Sequence, residues 1–368
     1  ILAVTFTNKA ASEMRARLDK LVGNDVTRDL WVGTFHATCA RLLRRHHEAA
    51  GLSKDFVIYD DADQKAVVAR VIKALGLDDK RFPPKQMLAS IHQFKQEGKQ
   101  PWEVPEANYF DEIAKKVYEA FEQHLLSASA VDFDDLILKV MRLAEDPSSM
   151  ASQDLRNRFS HVLVDEFQDA NPTQYRLVRA LVANHHNLCV VGDDDQSIYR
   201  WRGADVRIIR GFKRDFSQAQ VVKLEENYRS SACVVQAALG VIKPSREREP
   251  KELFTNNPPG EKVHVVSVRD ERDEAAFIVS KAKEAIRNGL SARDVAIFYR
   301  IHAQSRVLEE AMRSENVPYQ IIGGMRFFDR AEVKDLLAYL RVLANPRSDV
   351  DLLRIINVPA RGIGQTTI

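Results

Sequence analysis

The stretch His161-Val-Leu-Val-Asp165-Glu166-Phe-Gln-Asp169 decides the fold, because it joins an apolar segment directly to a run of acids. The apolar residues predict a short buried strand, and the first acids then lie at its carboxyl end. Parallel sheets bind their ligands at that edge. Asp165 is therefore a candidate ligand for Mg²⁺, and Glu166 is a candidate base that deprotonates a water molecule. A strand that simply ends in solvated acids is the alternative at this point.

Similar apolar segments lie on both sides of this stretch, separated by helical patterns. Ile1–Phe6, Trp31–Phe35 and Leu188–Val191 are predicted strands, and apolar positions recur at helical spacing between them. Strands that alternate with helices predict an α/β fold with a mainly parallel sheet covered on both faces. Later strands are predicted at Gln220–Leu224 and, in a second α/β unit, at 262–268, 294–299 and 319–322.

The composition of the 368 residues excludes several classes of protein. The formal net charge is only +2, so a nucleic-acid site has to be local. The three cysteines are scattered, which argues against a disulfide framework or a zinc ribbon and favours a reducing compartment. No apolar run approaches ~20 residues, so no membrane span is predicted. We expect a cytoplasmic protein.

A second polar loop follows the strand Leu188–Val191. It reads Gly192-Asp-Asp-Asp-Gln196-Ser-Ile-Tyr199-Arg-Trp201-Arg202. The amide of Gln196 can sense a γ-phosphate, and Tyr199 and Trp201 are large aromatics in a polar loop. Aromatics flanked by arginines favour stacking on nucleic-acid bases. The alternative is that Trp201 anchors the loop to the core.

A third run of acids lies at Asp132-Phe-Asp134-Asp135. Short acidic side chains at a helix start accept hydrogen bonds from its first backbone N–H groups. We therefore predict that this run caps a helix rather than binding a metal ion.

The two loops at 161–169 and 190–203, with six further blocks, resemble the motifs of the UvrD/Rep/PcrA helicases of superfamily 1A. All eight blocks run in the family's order and span nearly the whole chain. The six further blocks are Thr5-Phe-Thr-Asn-Lys-Ala-Ala11, Gly33-Thr-Phe-His36, Glu226-Asn-Tyr-Arg-Ser230, Gln304-Ser-Arg306 with Glu309-Glu310, Gly323-Gly-Met-Arg-Phe-Phe328 and Pro359-Ala-Arg-Gly-Ile-Gly364.

The resemblance implies a role for each matching residue in ATP hydrolysis. Asp165 would bind Mg²⁺, with Glu166 as a second candidate ligand. Glu166 would be the catalytic base, and Gln196 would link the γ-phosphate to the DNA site. Arg229 matches the family's arginine that reaches the γ-phosphate from the second motor domain, and Tyr228 would stack on the adenine.

The resemblance also implies a track for single-stranded DNA. Phe6, Tyr199 and Trp201 would form pockets for unstacked bases. For Phe6 the alternative is a core residue at a strand end, and for His36 it is a helix cap. The other residues of the implied track are Thr7, Asn8, Thr34, His36, Arg202, Arg361 and Gly362.

The family's fold implies tandem RecA-like, P-loop NTPase motor domains with parallel sheets and helical insertions. The first domain would comprise 1–56 and 130–225, with 57–129 as a helical insertion. The second would comprise 226–323, and 324–368 would begin a second helical insertion. The family's phosphate-binding loop, GxxxxGK[ST], and its last two motifs are absent from this sequence. We therefore expect the N-terminal part of the first domain to be missing, and these residues alone to hydrolyse little ATP.

The implied function is an ATP- and Mg²⁺-dependent helicase that moves 3′ to 5′ on single-stranded DNA and unwinds duplexes in repair or replication. Its partners would be single-stranded DNA, single-strand–duplex junctions and repair or replication proteins, with no membrane. One alternative is a RecB/AddA-type helicase–nuclease subunit, which a downstream nuclease domain would identify. The other is a non-catalytic single-strand-binding module, which would have no need of an intact Asp165, Glu166, Gln196 and Arg229.

Overall fold

The computed structural model describes residues 1–245, 248, 250–322 and 331–364, so the block predicted at Gly323–Phe328 lies outside the described residues. The strands are β1 (Leu2–Thr5), β2 (Trp31–Thr34), β3 (Val57–Ile58), β4 (Ala130–Val131), β5 (Val162–Val164) and β6 (Leu188–Val190). The helices are α1 (Asn8–Val22), α2 (Asn24–Asp29), α3 (Phe35–Arg45), α4 (Asp61–Ala74), α5 (Pro84–Gln96), α6 (Tyr109–Ser127), α7 (Phe133–Glu145), α8 (Met150–Arg158), α9 (Pro172–Leu181), α10 (Val206–Asp215), α11 (Ala232–Ile242), α12 (Glu271–Arg287), α13 (Ala303–Ser314), α14 (Ala331–Ala344) and α15 (Asp349–Ile355).

The chain divides into two compact units. The first contains Ile1–Lys223 with the described parts of 245–251 and 334–368, and the second contains Leu224–Pro244 with the described part of 252–333. Within the described residues, no helix combines the length and apolar character that crossing a membrane requires.

A four-stranded parallel sheet in the order β2-β1-β5-β6 lies at the centre of the first unit. β1 pairs with β2 from Leu2 opposite Trp31, and with β5 from Leu2 opposite Val162. Leu2, Val4 and Val164 are buried and at most 2% exposed, whereas Leu163 on β5 is 41% exposed and Cys189 on β6 is exposed, so the predicted cover on both faces is incomplete at these two strands in the described residues. The observed sheet confirms the predicted α/β class, the parallel arrangement and the four strands predicted in this unit before residue 200.

The run of acids before α7 caps that helix, as the sequence predicts. Asp132 is the N-cap, and its carboxylate accepts a hydrogen bond from the backbone N–H of Asp135 at 2.7 Å. The side chain of Asp135 in turn accepts from the backbone N–H of Asp132, which completes a capping box.

Helices α4, α5 and α6 form a bundle with its own apolar core between β3 and β4. A fully buried lysine, Lys95 on α5, lies beside this core. Its Nζ is 2.5 Å from Glu122, 2.7 Å from Asp132 and 2.8 Å from Asp135. Burial alone would lower the pKa of Lys95, but the three carboxylates raise it well above its ordinary value. The lysine therefore ties the bundle to the start of α7.

Helices α14 and α15 pack against the same bundle. Asn345, which follows α14, donates from Nδ2 to the carbonyl of Ala128 at 2.7 Å and to that of Ser129 at 3.3 Å. Lys334 forms an ion pair with Asp60 at 2.8 Å. These contacts join residues that are more than two hundred positions apart in the sequence.

The regular elements of the second unit are helices in the residues that the structure describes. Val279, Met312 and Val317 form a small buried cluster between α12 and α13. The strands predicted at Gln220–Leu224, 262–268, 294–299 and 319–322 are not strands in the structure, so these predictions were wrong. Their apolar residues fit a strand, but a strand also needs a hydrogen-bonded neighbour, and these segments have none among the described residues.

Candidate functional site

The carboxyl ends of β1, β5 and β6 meet at one edge of the sheet. Phe6 follows β1, Asp165 and Glu166 follow β5, and the loop 191–203 follows β6. Because these strands are parallel neighbours, residues that follow them lie together. The structure therefore brings to one edge the residues that the sequence predicted in separate loops.

Asp165 is held at this edge by two hydrogen bonds. Its backbone N–H donates to the carbonyl of Val4 at 2.9 Å, and its Oδ2 accepts from the hydroxyl of Thr5 at 3.1 Å. Thr5 is buried, whereas Asp165 is only half-buried. Carboxylate and hydroxyl oxygens are the hard ligands that Mg²⁺ prefers, so the pair fits this ion chemically.

Glu166 has an unusual backbone conformation. Its φ of 52° and ψ of 42° lie in the left-handed region, where non-glycine residues are uncommon and often functional. The residue is exposed, while Phe167 after it is buried. Its Oε2 accepts a hydrogen bond from Nε2 of Gln168 at 2.7 Å. The catalytic candidate is thus accessible to water and is held by one neighbouring amide.

Asp169 lies at the other end of this turn in a different environment. It is 6% exposed, and its Oδ1 has no hydrogen-bond partner among the residues that the structure describes. Burial, and then the negative charge of Glu166, raises the pKa of Asp169 to about 6. The turn therefore contains an accessible glutamate and a buried aspartic acid whose pKa is raised.

The three acids of the second loop form an ion-pair cluster. Their carboxylate oxygens lie within 4.8 Å of one another, but Lys251 pairs with Asp193 and Asp195, and Arg248 is 2.8 Å from Asp195. Burial alone would raise the pKa of Asp193, but hydrogen bonds from Lys251 and Gln196 lower it below its ordinary value. The basic residues account for this convergence of acids without a metal ion.

The predicted aromatic residues are in mutual contact. The rings of Phe6 and Tyr199 are stacked with centroids 6.1 Å apart, and Trp201 lies 6.2 Å from Tyr199. The guanidinium of Arg202 lies 4.7 Å from the Trp201 ring and 5.3 Å from the Tyr199 ring. Trp201 is 65% exposed, so the alternative that it anchors the loop to the core is wrong. The cluster is an accessible aromatic surface with a cation on it.

Two of the predicted DNA-contacting residues are helix caps at the same edge. The hydroxyl of Thr7 accepts from the backbone N–H of Ala10 at 3.1 Å at the start of α1. The hydroxyl of Thr34 accepts a hydrogen bond from the backbone N–H of Ala37 at 3.2 Å at the start of α3. Asn8 is exposed in the first turn of α1. Both helix N-termini therefore lie at the carboxyl ends of β1 and β2.

His36 is half-buried on α3, and the alternative that it caps the helix is wrong because Thr34 does so. Its ring meets that of Phe133 edge-on, with centroids 6.0 Å apart. Burial lowers the pKa of His36, and the nearby charge of Asp134 offsets this only in part. The environment of His36 therefore favours the neutral form of its imidazole.

In the second unit, Asn227 organises the predicted nucleotide-binding block. Its Oδ1 accepts from the backbone N–H groups of Arg229 at 3.0 Å and Ser230 at 2.8 Å. The hydroxyl of Tyr228 donates to Glu226 at 2.7 Å, and the residue is 78% exposed. Arg229 is exposed as well. The turn thus presents an aromatic ring and a cation next to each other.

The last predicted pair, Arg361 and Gly362, lies near the end of α15. Nη1 of Arg361 donates to the carbonyls of Ile355 at 2.5 Å and Ile356 at 2.9 Å. Gly362 has a φ of 70°, which favours glycine. The arginine therefore stabilises the local turn in addition to any contact with DNA.

Two family models match the chain in succession. The model described as the UvrD/REP helicase N-terminal domain matches residues 1–217, and that described as the UvrD-like helicase C-terminal domain matches residues 222–368. The chain belongs to the UvrD/Rep helicase family. The P-loop NTPase fold of UvrD-like helicase domains agrees with the parallel sheet of the first unit.

Individual members of the UvrD/Rep family are also similar over the whole chain. The ATP-dependent DNA helicase PcrA of Staphylococcus aureus (strain Mu50) is 45% identical over 370 residues, and that of Staphylococcus epidermidis (strain ATCC 12228) is 45% identical over 371. Each alignment covers 100% of this chain and 50% of the relative, so the chain spans about half the length of these helicases. The family resemblance predicted from the motif blocks is confirmed.

Sequence reasoning missed Gln168, although this residue lies inside the stretch that decided the fold. It is 1% exposed and hydrogen-bonds to both Glu166 and Asp193. The available signal was a neutral polar residue between Phe167 and Asp169 immediately after the candidate base. That signal does not reveal burial or the partner from the second loop, so the sequence alone could not assign the residue.

Proposed function

We propose that the protein containing this chain is an ATP-dependent DNA helicase that moves 3′ to 5′ on single-stranded DNA and unwinds duplexes in repair or replication. One observation carries the proposal: the acids that follow β5 and the aromatic stack that follows β1 and β6 share one sheet edge. In the proposed helicase, a site for phosphate chemistry and a surface for bases would therefore lie side by side. Membership of the UvrD/Rep family supports the same assignment.

In this proposal, Glu166 accepts a proton from the water that attacks the γ-phosphate, and its exposed position suits that role. Asp165, beside the hydroxyl of Thr5 and with Glu166 as a second candidate ligand, would hold Mg²⁺, and the ion would neutralise negative charge on the phosphate oxygens. Gln196 contacts the γ-phosphate. Arg229 stabilises the charge on the transferring phosphoryl group, as cations do in such reactions. The exposed ring of Tyr228 stacks on the adenine.

The same proposal assigns base binding to the stack of Phe6, Tyr199 and Trp201. Stacking tolerates any sequence and contributes about 1–3 kcal/mol per base. Because Gln196 and the two aromatic residues after it belong to one short loop, a change at the γ-phosphate reaches the bases through a few residues of backbone. ATP hydrolysis can thereby change how tightly the aromatic stack binds the bases of the DNA.

Other residues of the proposed DNA track act on the backbone of the strand. The N-termini of α1 and α3 offer free N–H groups and a positive dipole end, which attract phosphates. The caps Thr7 and Thr34 fix these two helix starts. The remaining members of the track are Asn8, His36, Arg202, Arg361 and Gly362.

We further propose the domain assignment that the motifs imply and a cytoplasmic location. The first motor domain comprises 1–56 and 130–225, with 57–129 as its helical insertion. The second motor domain is 226–323, and 324–368 begins another insertion. The proposed partners are single-stranded DNA and single-strand–duplex junctions, together with repair or replication proteins.

The test is the ATPase activity of the native-length protein with and without single-stranded DNA, compared with its Glu166→Gln variant. We expect strong stimulation by DNA, and a loss of about 10²- to 10⁴-fold in the stimulated rate in the variant. Binding of a fluorescent oligonucleotide should be retained, because Glu166 does not belong to the aromatic stack.

Glu119→Gln serves as the matched control, because Glu119 is an exposed glutamate on α6 outside the site. It should leave both measurements unchanged. Tight oligonucleotide binding without any ATPase stimulation in the parent protein would reject the helicase and favour a non-catalytic binding module.

A further inference from the structure

The side chain of Gln168 makes two hydrogen bonds to two different loops of the site. Its Nε2 donates to the carboxylate of Glu166 at 2.7 Å, and its Oε1 accepts from the backbone N–H of Asp193 at 3.0 Å. A carboxylate only accepts and a backbone N–H only donates, so the orientation of this amide is fixed by its partners. The residue is 1% exposed, so water cannot readily replace either bond.

These bonds extend to the glutamine that faces the nucleotide in the proposed function. The carboxylate of Asp193 accepts from Nε2 of Gln196 at 2.8 Å. In addition, the hydroxyl of Ser197 donates to the carbonyl of Gln168 at 3.2 Å. An unbroken series of hydrogen bonds therefore runs from Glu166 through Gln168 and Asp193 to Gln196.

Close packing holds the amide of Gln168 in this place. A Cβ atom on Gly192 would lie 2.6 Å from Oε1 of Gln168, 2.9 Å from Cδ1 of Ile209 and 3.1 Å from the backbone nitrogen of Phe167. Such distances are too short for any side chain without displacement. The backbone of Gly192 therefore approaches the amide as closely as it does because this residue has no side chain.

We propose that Gln168 is a positioning residue that sets the Glu166 carboxylate and the Asp193–Gln196 loop in one arrangement. This inference rests on the proposed function. One rigid amide spans both loops, so a displacement of the loop at Asp193 moves the amide and with it the carboxylate of the base. Gln168 thereby links the occupancy of the DNA site to the placement of the base for hydrolysis.

The first experiment replaces Gln168 by Met in the native-length protein, which keeps the volume and removes both hydrogen bonds. The kcat of the DNA-stimulated ATPase should fall about 10- to 100-fold, as expected for the loss of a hydrogen bond to a charged group. The KM for ATP and the affinity for single-stranded DNA should stay close to those of the parent protein.

The matched control is Gln64→Met, because Gln64 is another fully buried glutamine whose amide donates to a backbone carbonyl, that of Tyr59 at 3.2 Å. It lies on α4, away from the site, and should lower stability without changing kcat. An equal loss of kcat in both variants would overturn the positioning role.

A double variant separates positioning from a general structural effect. If Gln168 acts through Glu166, then adding Gln168→Met to Glu166→Gln should cause no further loss of the single-turnover rate. Losses that multiply would contradict the proposal. Gly192→Ala, which pushes on the same amide from the other side, should reproduce the loss of kcat.

The two proposals fail in different ways. An absence of DNA-stimulated hydrolysis in the parent protein would reject the proposed function, and full hydrolysis by Glu166→Gln would reject Glu166 as its base. A strong effect of Glu166→Gln together with an unchanged kcat in Gln168→Met would leave the helicase intact and reject only the positioning role.

Discussion

Asp132 and Asp135 at the start of α7 are buried around a lysine, whereas Asp165 and Glu166 at the end of β5 remain accessible to solvent. In the sequence the two runs look alike, because each places acids directly after a short apolar strand. The carboxylates of the first run form a capping box and an ion pair with Lys95. The second leaves the carboxylate of Glu166 with a single amide donor among the described residues.

The difference between the two runs shows what separates a structural acid from a catalytic one. Buried carboxylates need a counter-charge and hydrogen bonds, since an unpaired buried charge is very costly. Lys95 supplies that charge, and the rings of Tyr118 and Phe121 lie 5.6 Å and 5.1 Å from its Nζ. An acid that must take up a proton and release it again needs access to water instead.

The contrast between the buried and the accessible acids is tested most strongly by removing the positive charge of Lys95. In Lys95→Met, we expect the free energy of unfolding to fall by about 3–5 kcal/mol, because two buried carboxylates and the partly buried one of Glu122 lose their partner. Urea denaturation measures this. Lys139→Met, whose Nζ is 3.8 Å from Glu122 and partly exposed, should cost at most about 1 kcal/mol. A loss as small in Lys95→Met would show that the buried run is not held by its lysine.

The accessible site can be probed with two exposed tryptophans. Trp201→Ala should weaken binding of single-stranded DNA by about 1–3 kcal/mol, because it removes one base-stacking surface. Trp102 is the control, since it is 73% exposed against 65% for Trp201 and also lies in a 3-10 helix. Fluorescence anisotropy with a labelled oligonucleotide measures both. Equal weakening by Trp102→Ala would mean that exposure, and not the stack, determines DNA binding.

The buried run should also make the free energy of unfolding depend on pH, and this effect is smaller than the two above. Burial, and then the charge of Asp135, raises the pKa of Asp132 to about 7 from its ordinary value of 3.8. The folded protein therefore keeps a proton that the unfolded chain has already lost, so stability should fall by about 1–2 kcal/mol as pH rises from about 5 to 7.

Replacing Asp132 by Asn should reduce this slope, since the amide does not titrate. Asp61→Asn, at an exposed position in the first turn of α4, should leave the slope unchanged. Urea midpoints measured at several pH values decide the matter, and identical slopes in all three proteins would count against a proton on Asp132.

The sheet, its strand ends and the capped start of α7 were predictable because each depends on neighbouring residues. Apolar segments followed by acids indicate both the strand and its carboxyl edge, and Asp132 caps a helix that begins one residue later. The family's motif blocks likewise implied Phe6, Tyr199 and Trp201 as pockets for unstacked bases, and base binding by them stays a prediction. In the structure, the ring of Tyr199 contacts those of both Phe6 and Trp201, although Phe6 lies in a different loop from the other two.

The partners of the buried polar groups could not be predicted. Lys95 looks like an ordinary helical lysine, and its partner Asp132 lies 37 positions away. Gln168 and Asp193 are 25 positions apart and meet only because β5 and β6 are neighbours. The strands predicted after residue 219 were wrong for the opposite reason. Their apolar pattern was clear, but whether a segment pairs with a neighbouring strand does not depend on its own residues alone.

The bonds from Asn345 to the carbonyls of Ala128 and Ser129 have a consequence for synthesis on the ribosome. The residues they join are 217 and 216 positions apart, so the bundle of α4, α5 and α6 leaves the ribosome long before this polar partner exists. At ~5–20 residues per second, the interval is roughly 10–40 s. During that time the two carbonyls must be satisfied by water or by a chaperone.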